Sequence, residues 1–223
     1  MSGRTLAIGD IHGCDTALRS LISHVEIQPD DTLVILGDVV DRGPGSRDVI
    51  EQLLALKNQC QFIFIQGNHE EMMLDALSGG EWVDDWYRYG GDTTLISYGG
   101  DKTGIPQAHL DFLRSGLDYW TNEIGVFVHA NLEPGVPLEE QIPEWLRWTH
   151  LTGFEKQHPS GKRVICGHTP QKSGLPRVQP GWVCIDTFAN SGGWLTCLDL
   201  STNHIWQTNE LGKFRTGNLE SAR

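Results

Sequence analysis

The sequence predicts an α/β fold, with a parallel sheet in its first third and a strand-rich second half. Three observations predict it. Short apolar runs at Leu6–Ile8, Thr32–Leu36 and Phe62–Ile65 end in the turns Gly9-Asp10, Gly37-Asp38 and Gly67-Asn68. Two intervening stretches place apolar residues at helical spacing: Ala17, Leu18, Leu21, Ile22 and Val25, then Val49, Ile50, Leu53, Leu54 and Leu56. The resulting strand–helix–strand–helix–strand order builds a parallel sheet through right-handed crossovers.

In chain order, the pattern predicts strands at 5–10, 31–38 and 61–66, with helices over 14–25 and from about Ser46. A further helix begins at His69 and carries Met72, Met73, Leu74 and Leu77. Residues 70–120 form a helical cap or insert over the sheet edge. Its rings, Trp82, Trp86, Tyr87, Tyr89 and Tyr98, are expected chiefly to pack. From Glu123 the expected strands are Ile124–Val128, Arg163–Cys166, Gly181–Asp186, Trp194–Leu200 and His204–Gln207, the last two as a hairpin. Residues 131–161 read as irregular, with one short helix near Glu139–Arg147. The expected organisation is a single domain over 1–211 and a loose polar tail over 212–223.

The 223 residues suit one domain with a cap, since single domains run to about 250 residues. A formal charge of −12 argues against nucleic acid, whose binders need a basic footprint. No stretch approaches the roughly 18 consecutive apolar residues of a membrane span. The Met1–Arg4 start leaves no room for a signal peptide before the first strand. Five widely spaced cysteines without a Cys-x-x-Cys pair read as reduced thiols. Together these features predict a cytoplasmic protein.

In open α/β sheets, ligands gather beyond the carboxyl ends of the strands. Six polar groups fall there: Asp10, His12, Asp38, Asn68, His129 and His168. Oxygen and imidazole donors without thiolate suit Mn, Fe or Zn. Six donors are about right for two ions sharing a carboxylate, and Asp38, on the middle turn, is the natural bridge. The glycines before four of these donors are expected to turn the chain sharply off its strands. Arg42 would present its fork to a phosphate. His69 would serve as general acid, with Asp41 fixing its tautomer, and Arg147 is a candidate second phosphate clamp. The remaining histidines (His24, His109, His150, His158 and His204) read as surface or capping residues. Glu70 reads as a helix N-terminal or supporting acid.

The ordered set Gly-Asp-Ile-His-Gly (9–13), Gly-Asp-Val-Val-Asp-Arg-Gly (37–43), Gly-Asn-His-Glu (67–70), His129-Ala130 and Gly167-His168-Thr169 resembles the PPP-type metallophosphoesterases. These include serine/threonine protein phosphatases, their bacterial and phage lambda-type relatives, and the symmetrical diadenosine tetraphosphatases. The resemblance covers about residues 5–200. It implies a calcineurin-like β-sandwich of two mixed sheets flanked by helices, with a dinuclear metal site at the strand ends. Asp10, His12 and Asp38 would hold one ion, and Asp38, Asn68, His129 and His168 the other. Arg42 and Arg147 would bind phosphate, while His69 and Asp41 would form the proton-donating pair. Two departures stand out. The stretch Cys184–Gly193 looks like the short bacterial and phage form, and Asn131-Leu132 stands where many relatives carry glycine.

The expected function is phosphoserine/phosphothreonine phosphatase, by direct attack of a hydroxide bridging two divalent ions, Mn first and Fe or Zn as alternatives. The alternative is a small-molecule phosphoesterase such as a symmetrical diadenosine tetraphosphatase or a broad phosphomonoesterase. A remote alternative is an inactive scaffold for phosphorylated partners.

Overall fold

The computed structural model describes residues 3–219. In sequence order it contains β1 (Thr5–Ile8), α1 (Asp15–Val25), β2 (Thr32–Ile35), α2 (Ser46–Leu56), β3 (Gln61–Phe64), α3 (Asn68–Ser78), α4 (Val83–Arg88), α5 (Gly91–Ser97) and α6 (Gln107–Arg114). There follow β4 (Tyr119–Thr121), β5 (Gly125–Val128), a π-helical turn (Glu144–Trp148), β6 (Arg163–Cys166), β7 (Arg177–Gln179) and β8 (Trp182–Cys184). The chain ends in β9 (Leu195–Asp199), β10 (His204–Thr208) and β11 (Phe214–Asn218).

Two mixed sheets face each other. One has the order β11-β10-β9-β1-β2-β3, the other β4-β5-β6-β8-β7. Pairing is parallel among β1, β2 and β3, and again among β5, β6 and β8. The remaining neighbours are antiparallel.

Side-chain alternation explains the layering, because successive residues of a strand point to opposite faces. Leu6, Ile8, Leu33 and Ile35 face the helices, in a cluster with Leu18, Leu21, Val49, Ile50 and Leu53. Ala7, Val34 and Leu36 face the other way and meet Phe127, Ile165, Val183 and Ile185 between the sheets. On β5, Val126 and Val128 turn outward instead, beneath Leu132, Leu146 and Leu151. The central strands of both sheets are thus covered on both faces, but the outer face of the β4–β8 sheet is covered by irregular chain.

Several sequence expectations are corrected. The helix expected near Glu139–Arg147 is split into a 3-10 turn at Leu138–Glu140 and the π-helical turn. Pro143 between them has no N–H to donate into a continuous helix. The tail expected to be loose from 212 instead supplies β11, paired with β10 over five residue pairs. Its docking is largely polar: Arg215 bonds Gln207 at 2.7 Å and lies over the Trp194 ring, and Phe214 stacks on His24. Residues 220–223 lie outside the described residues. His109, expected at the surface, is buried between the Tyr98 hydroxyl at 2.7 Å and Glu51 at 3.2 Å. All five cysteines are unpaired. No helix among the described residues is long and apolar enough to cross a membrane.

Phe127 is fully buried between the sheets. Phe127→Ala is expected to lower unfolding free energy by about 3–5 kcal/mol in denaturant titration, since it removes a whole ring from a closed layer. A loss below about 1 kcal/mol would mean that the inter-sheet layer collapses readily around the gap.

Candidate metal centre

The parallel strands deliver their polar turns to one place. After β2, Asp38 adopts a left-handed backbone, φ +49°, which lets its carbonyl accept the N–H groups of Ile11 (3.0 Å) and His12 (2.8 Å) after β1. From the third turn, Glu70 takes the N–H groups of Asp38 (2.9 Å), Val39 (2.8 Å) and Gly67 (2.8 Å). Glu70 is therefore the supporting acid expected from sequence, and it binds two turns together. Burial pushes its carboxyl up to about 7, with the Asp38 charge adding to the effect.

The candidate ligand residues themselves carry much of the turning: His12, Asp38 and His168 all have φ between +47° and +60°. Gly37, at φ +94°, is a glycine that turns the chain as the sequence led us to expect. Gly167 has a different task. A Cβ there would lie 2.0 Å from an Asp10 carboxylate oxygen, so glycine is needed for close approach.

The histidines are oriented by backbone carbonyls. His12 Nδ1 lies 3.0 Å from the Val40 oxygen, His129 Nδ1 2.7 Å from the Leu36 oxygen, and His168 Nε2 3.0 Å from the Trp148 oxygen. Donating there leaves His12 Nε2, His129 Nε2 and His168 Nδ1 as lone pairs, the arrangement usual for metal-ligating imidazoles. Burial favours neutral rings. It lowers the pKa values of His12 and His129 and brings His168 down to about 3, with His129 adding to the last shift.

Two groups of candidate ligands share Asp38. The donor atoms of Asp38, His129 and His168 lie within 4.8 Å of one another, as do those of His12, Asp38 and His69. The Asn68 amide oxygen is 3.0 Å from both His129 Nε2 and His168 Nδ1. With those ring protons committed elsewhere, the Asn68 oxygen and two ring lone pairs converge on one point, a donor set suited to a cation. At the other group, the Arg42 guanidinium stands in for a cation, with Nη1 2.9 Å from His12 Nε2 and Nη2 2.9 Å from His69 Nε2. Burial opposes ionisation of Asp38, yet the surrounding imidazoles hold its carboxyl well below the usual range. The residues therefore fit two divalent ions sharing Asp38.

Asp10, a ligand candidate from sequence, falls in neither group; it is buried and its carboxylate accepts the His168 backbone N–H at 3.0 and 3.1 Å. Burial raises its pKa, with Asp186 and Asp38 contributing. Sequence reasoning missed Asp186, which is buried and pushed up to about 7 by burial, with the Asp38 charge also raising it. The available signal was its position two residues beyond β8, which runs parallel to β6. His150 is exposed, as expected, but it also stacks on His168 at 4.4 Å and lines the cleft, a position the sequence did not reveal.

The cleft holds about 190 Å³ and is lined by His12, Asp38, Arg42, Asn68, His69 and His168, with Tyr89, Trp148 and His150 toward the rim. His69 Nδ1 is 2.7 Å from Asp41 Oδ2. Burial works against a charged His69, but the charge of Asp38 and the hydrogen bond to Asp41 outweigh it and raise its pKa. Arg147 is not brought into the cleft. Its guanidinium bonds Glu71 at 3.0 Å and also pairs with Asp118, so two carboxylates hold it in place. Asn131 likewise faces away, toward the His150 carbonyl at 3.3 Å.

Gly167→Ala is expected to displace Asp10 and the His168 turn, weakening manganese binding about 10–100-fold by calorimetry, the range seen when supporting groups are lost. Unchanged affinity would mean that Asp10 and Gly167 do not shape the metal centre.

The calcineurin-like phosphoesterase family matches residues 3–172. A symmetrical bis(5'-nucleosyl)-tetraphosphatase of Salmonella paratyphi A is 43% identical over 76 residues. That stretch is 34% of this chain and spans only 26% of the relative's length. A solved structure provisionally named as a diadenosine tetraphosphatase superposes with a TM-score of 0.71 at 21% identity, covering 98% of this chain and 94% of that one. A serine/threonine phosphatase from Saccharomyces cerevisiae gives 0.65 at 16%, covering 97% and 80%. At such identities the two structures establish the fold, while the family match extends across the metal-ligand motifs through His168: the chain belongs to the calcineurin-like phosphoesterases, a family of phosphoester hydrolases that use paired divalent metals.

Proposed function

We propose that this chain hydrolyses small phosphoesters, with a dinucleoside polyphosphate of the diadenosine tetraphosphate type preferred over a phosphoprotein. The observation that carries the substrate preference is the rim. A cleft of about 190 Å³ is lined by Arg42 and the candidate metal donors, and Tyr89, Trp148 and His150 border it. Bases left at the mouth would meet these aromatic faces, and base stacking is worth about 1–3 kcal/mol per base. The sequence likeness to symmetrical tetraphosphatases supports the same substrate. The phosphoprotein preference expected from the motifs gives way to this reading.

Divalent ions held at Asp38, one with His12 and the other with Asn68, His129 and His168, would neutralise phosphoryl charge and acidify water. The chain's own residues supply the rest. Asp38, Asn68, His129, His168 and His12 would hold the ions, with Asp10 supporting the His168 turn. Arg42, whose fork faces the cleft, would orient a phosphoryl group through its non-bridging oxygens. His69 would donate one ring proton to Asp41 from Nδ1 and, once a phosphoryl group draws Arg42 off Nε2, deliver the other from Nε2 to the leaving oxygen. The complete donor set and the 2.7 Å His69–Asp41 contact count against a scaffold without catalysis.

The test compares diadenosine tetraphosphate, a phosphoserine peptide and an aryl phosphate on manganese-loaded protein. The dinucleotide is expected to show the highest kcat/KM, with chelation abolishing turnover. Tyr89→Ala is expected to raise KM for the dinucleotide about tenfold, while the aryl phosphate is little affected. Preference for the peptide would restore the phosphoprotein reading, and no turnover of any substrate would favour the scaffold.

A further inference from the structure

We infer that Trp86 and Thr94, in the helical segment after α3, are positioning residues that lock Asp41 onto His69 and so set the direction of proton delivery. The inference rests on the hydrolase reading above. It goes beyond that reading by giving the aromatic-rich segment a task in the reaction, where the sequence suggested packing.

The geometry is specific. Asp41 is fully buried, and both its carboxylate oxygens are engaged. Oδ1 accepts the Thr94 hydroxyl at 2.7 Å and the Trp86 indole N–H at 3.0 Å. Oδ2 faces His69 Nδ1 at 2.7 Å and is shared with the same indole at 3.1 Å. The indole therefore straddles both oxygens and fixes the carboxylate plane. Thr94 acts twice: its oxygen also accepts the Asp41 backbone N–H at 2.9 Å, and it contacts Ser46 Oγ at 3.0 Å.

The backbone needs this support. Asp41 and Arg42 are consecutive non-glycine residues at φ +69°, a conformation L-residues adopt only when their surroundings hold them. The segment that supplies the clamp also accepts the Arg42 N–H, on the Gly90 carbonyl at 3.2 Å. Gly91 lies against the Trp86 ring so closely that a Cβ there would come within 2.4 Å. Trp86, Thr94 and the Gly90-Gly91 turn thus form one support behind Asp41 and Arg42. Neither Trp86 nor Thr94 lines the cleft, so each acts through Asp41 and neither would touch substrate.

A positioning role makes a prediction that packing alone does not. Help from a general acid matters most when the leaving group is a poor one, and contributes about 10²–10⁴-fold where it is needed. The experiment measures kcat and KM on manganese-loaded full-length protein for aryl phosphates graded from 4-nitrophenyl to phenyl, and for an alkyl phosphate. Trp86→Phe, which keeps a ring but loses the N–H, and Thr94→Val, which keeps shape but loses the hydroxyl, are compared with Thr94→Ser. The first two are expected to leave kcat for 4-nitrophenyl phosphate within about threefold and to lower kcat for the alkyl phosphate about tenfold or more, with KM unchanged. Thr94→Ser restores the wild-type pattern.

A uniform fall across the series, no fall at all, or a Thr94→Ser variant as impaired as Thr94→Val would overturn the inference. If Thr94→Val fails to fold, Trp86→Phe carries the same comparison. Wild-type protein that turns over none of these esters or the dinucleotide would instead overturn the proposed function, and the inference with it.

Discussion

The structure depends on Asp38 as a junction between strands that are distant in sequence. Its carbonyl holds the turn after β1, its N–H is held by Glu70 from the turn after β3, and its carboxylate accepts the His69 backbone N–H at 3.1 Å. The same carboxylate lies 3.4 Å from His12 Nε2 and from His129 Nε2, so it also joins the two sheets. Few residues carry so many obligations at once, and each constrains the others. A side chain shifted there would disturb two strand ends and both donor groups.

The surrounding electrostatics follow from that junction. Asp10, Asp38, Glu70 and Asp186 are all buried near one point, and Arg42 is the cation that faces it. Burying so much potential negative charge is costly unless it is paired. Glu70 is satisfied by three backbone N–H groups, and Asp10 accepts another. Asp38 and the imidazole lone pairs remain the natural seat of cationic ligands. The arrangement accounts for part of the formal charge of −12 as an internal feature of the centre.

Much of this was legible in the sequence because it follows local rules. Each parallel strand is an apolar run followed by a polar turn, so Asp10, Asp38, Asn68, His129 and His168 announce themselves by position. What was illegible depends on distant packing or on short elements. β4 and β7 are three residues each, too short for a period to show, and β11 docks through arginine and threonine where an apolar face would have been readable. Asp186 follows a strand end but lacks a preceding glycine to mark it. Arg147 sits in a plausible Trp-x-Arg setting, and nothing nearby in the chain reveals that Glu71 and Asp118 claim it. His150 and Trp86 owe their surroundings to contacts made across long sequence separations.

One consequence comes from the irregular cover over the outer face of the β4–β8 sheet. That face is roofed by loops around Leu132, Leu146 and Leu151, where the opposite sheet has regular helices. Regions with few regular backbone bonds open at lower free energy than helical layers do. The Trp148 carbonyl that orients His168 belongs to this roof. His168 is therefore tethered to irregular chain, while His129 is tethered to Leu36 at the end of β2. Two imidazoles of one donor group thus hang from unlike supports, one a strand end and the other a π-helical turn in irregular chain.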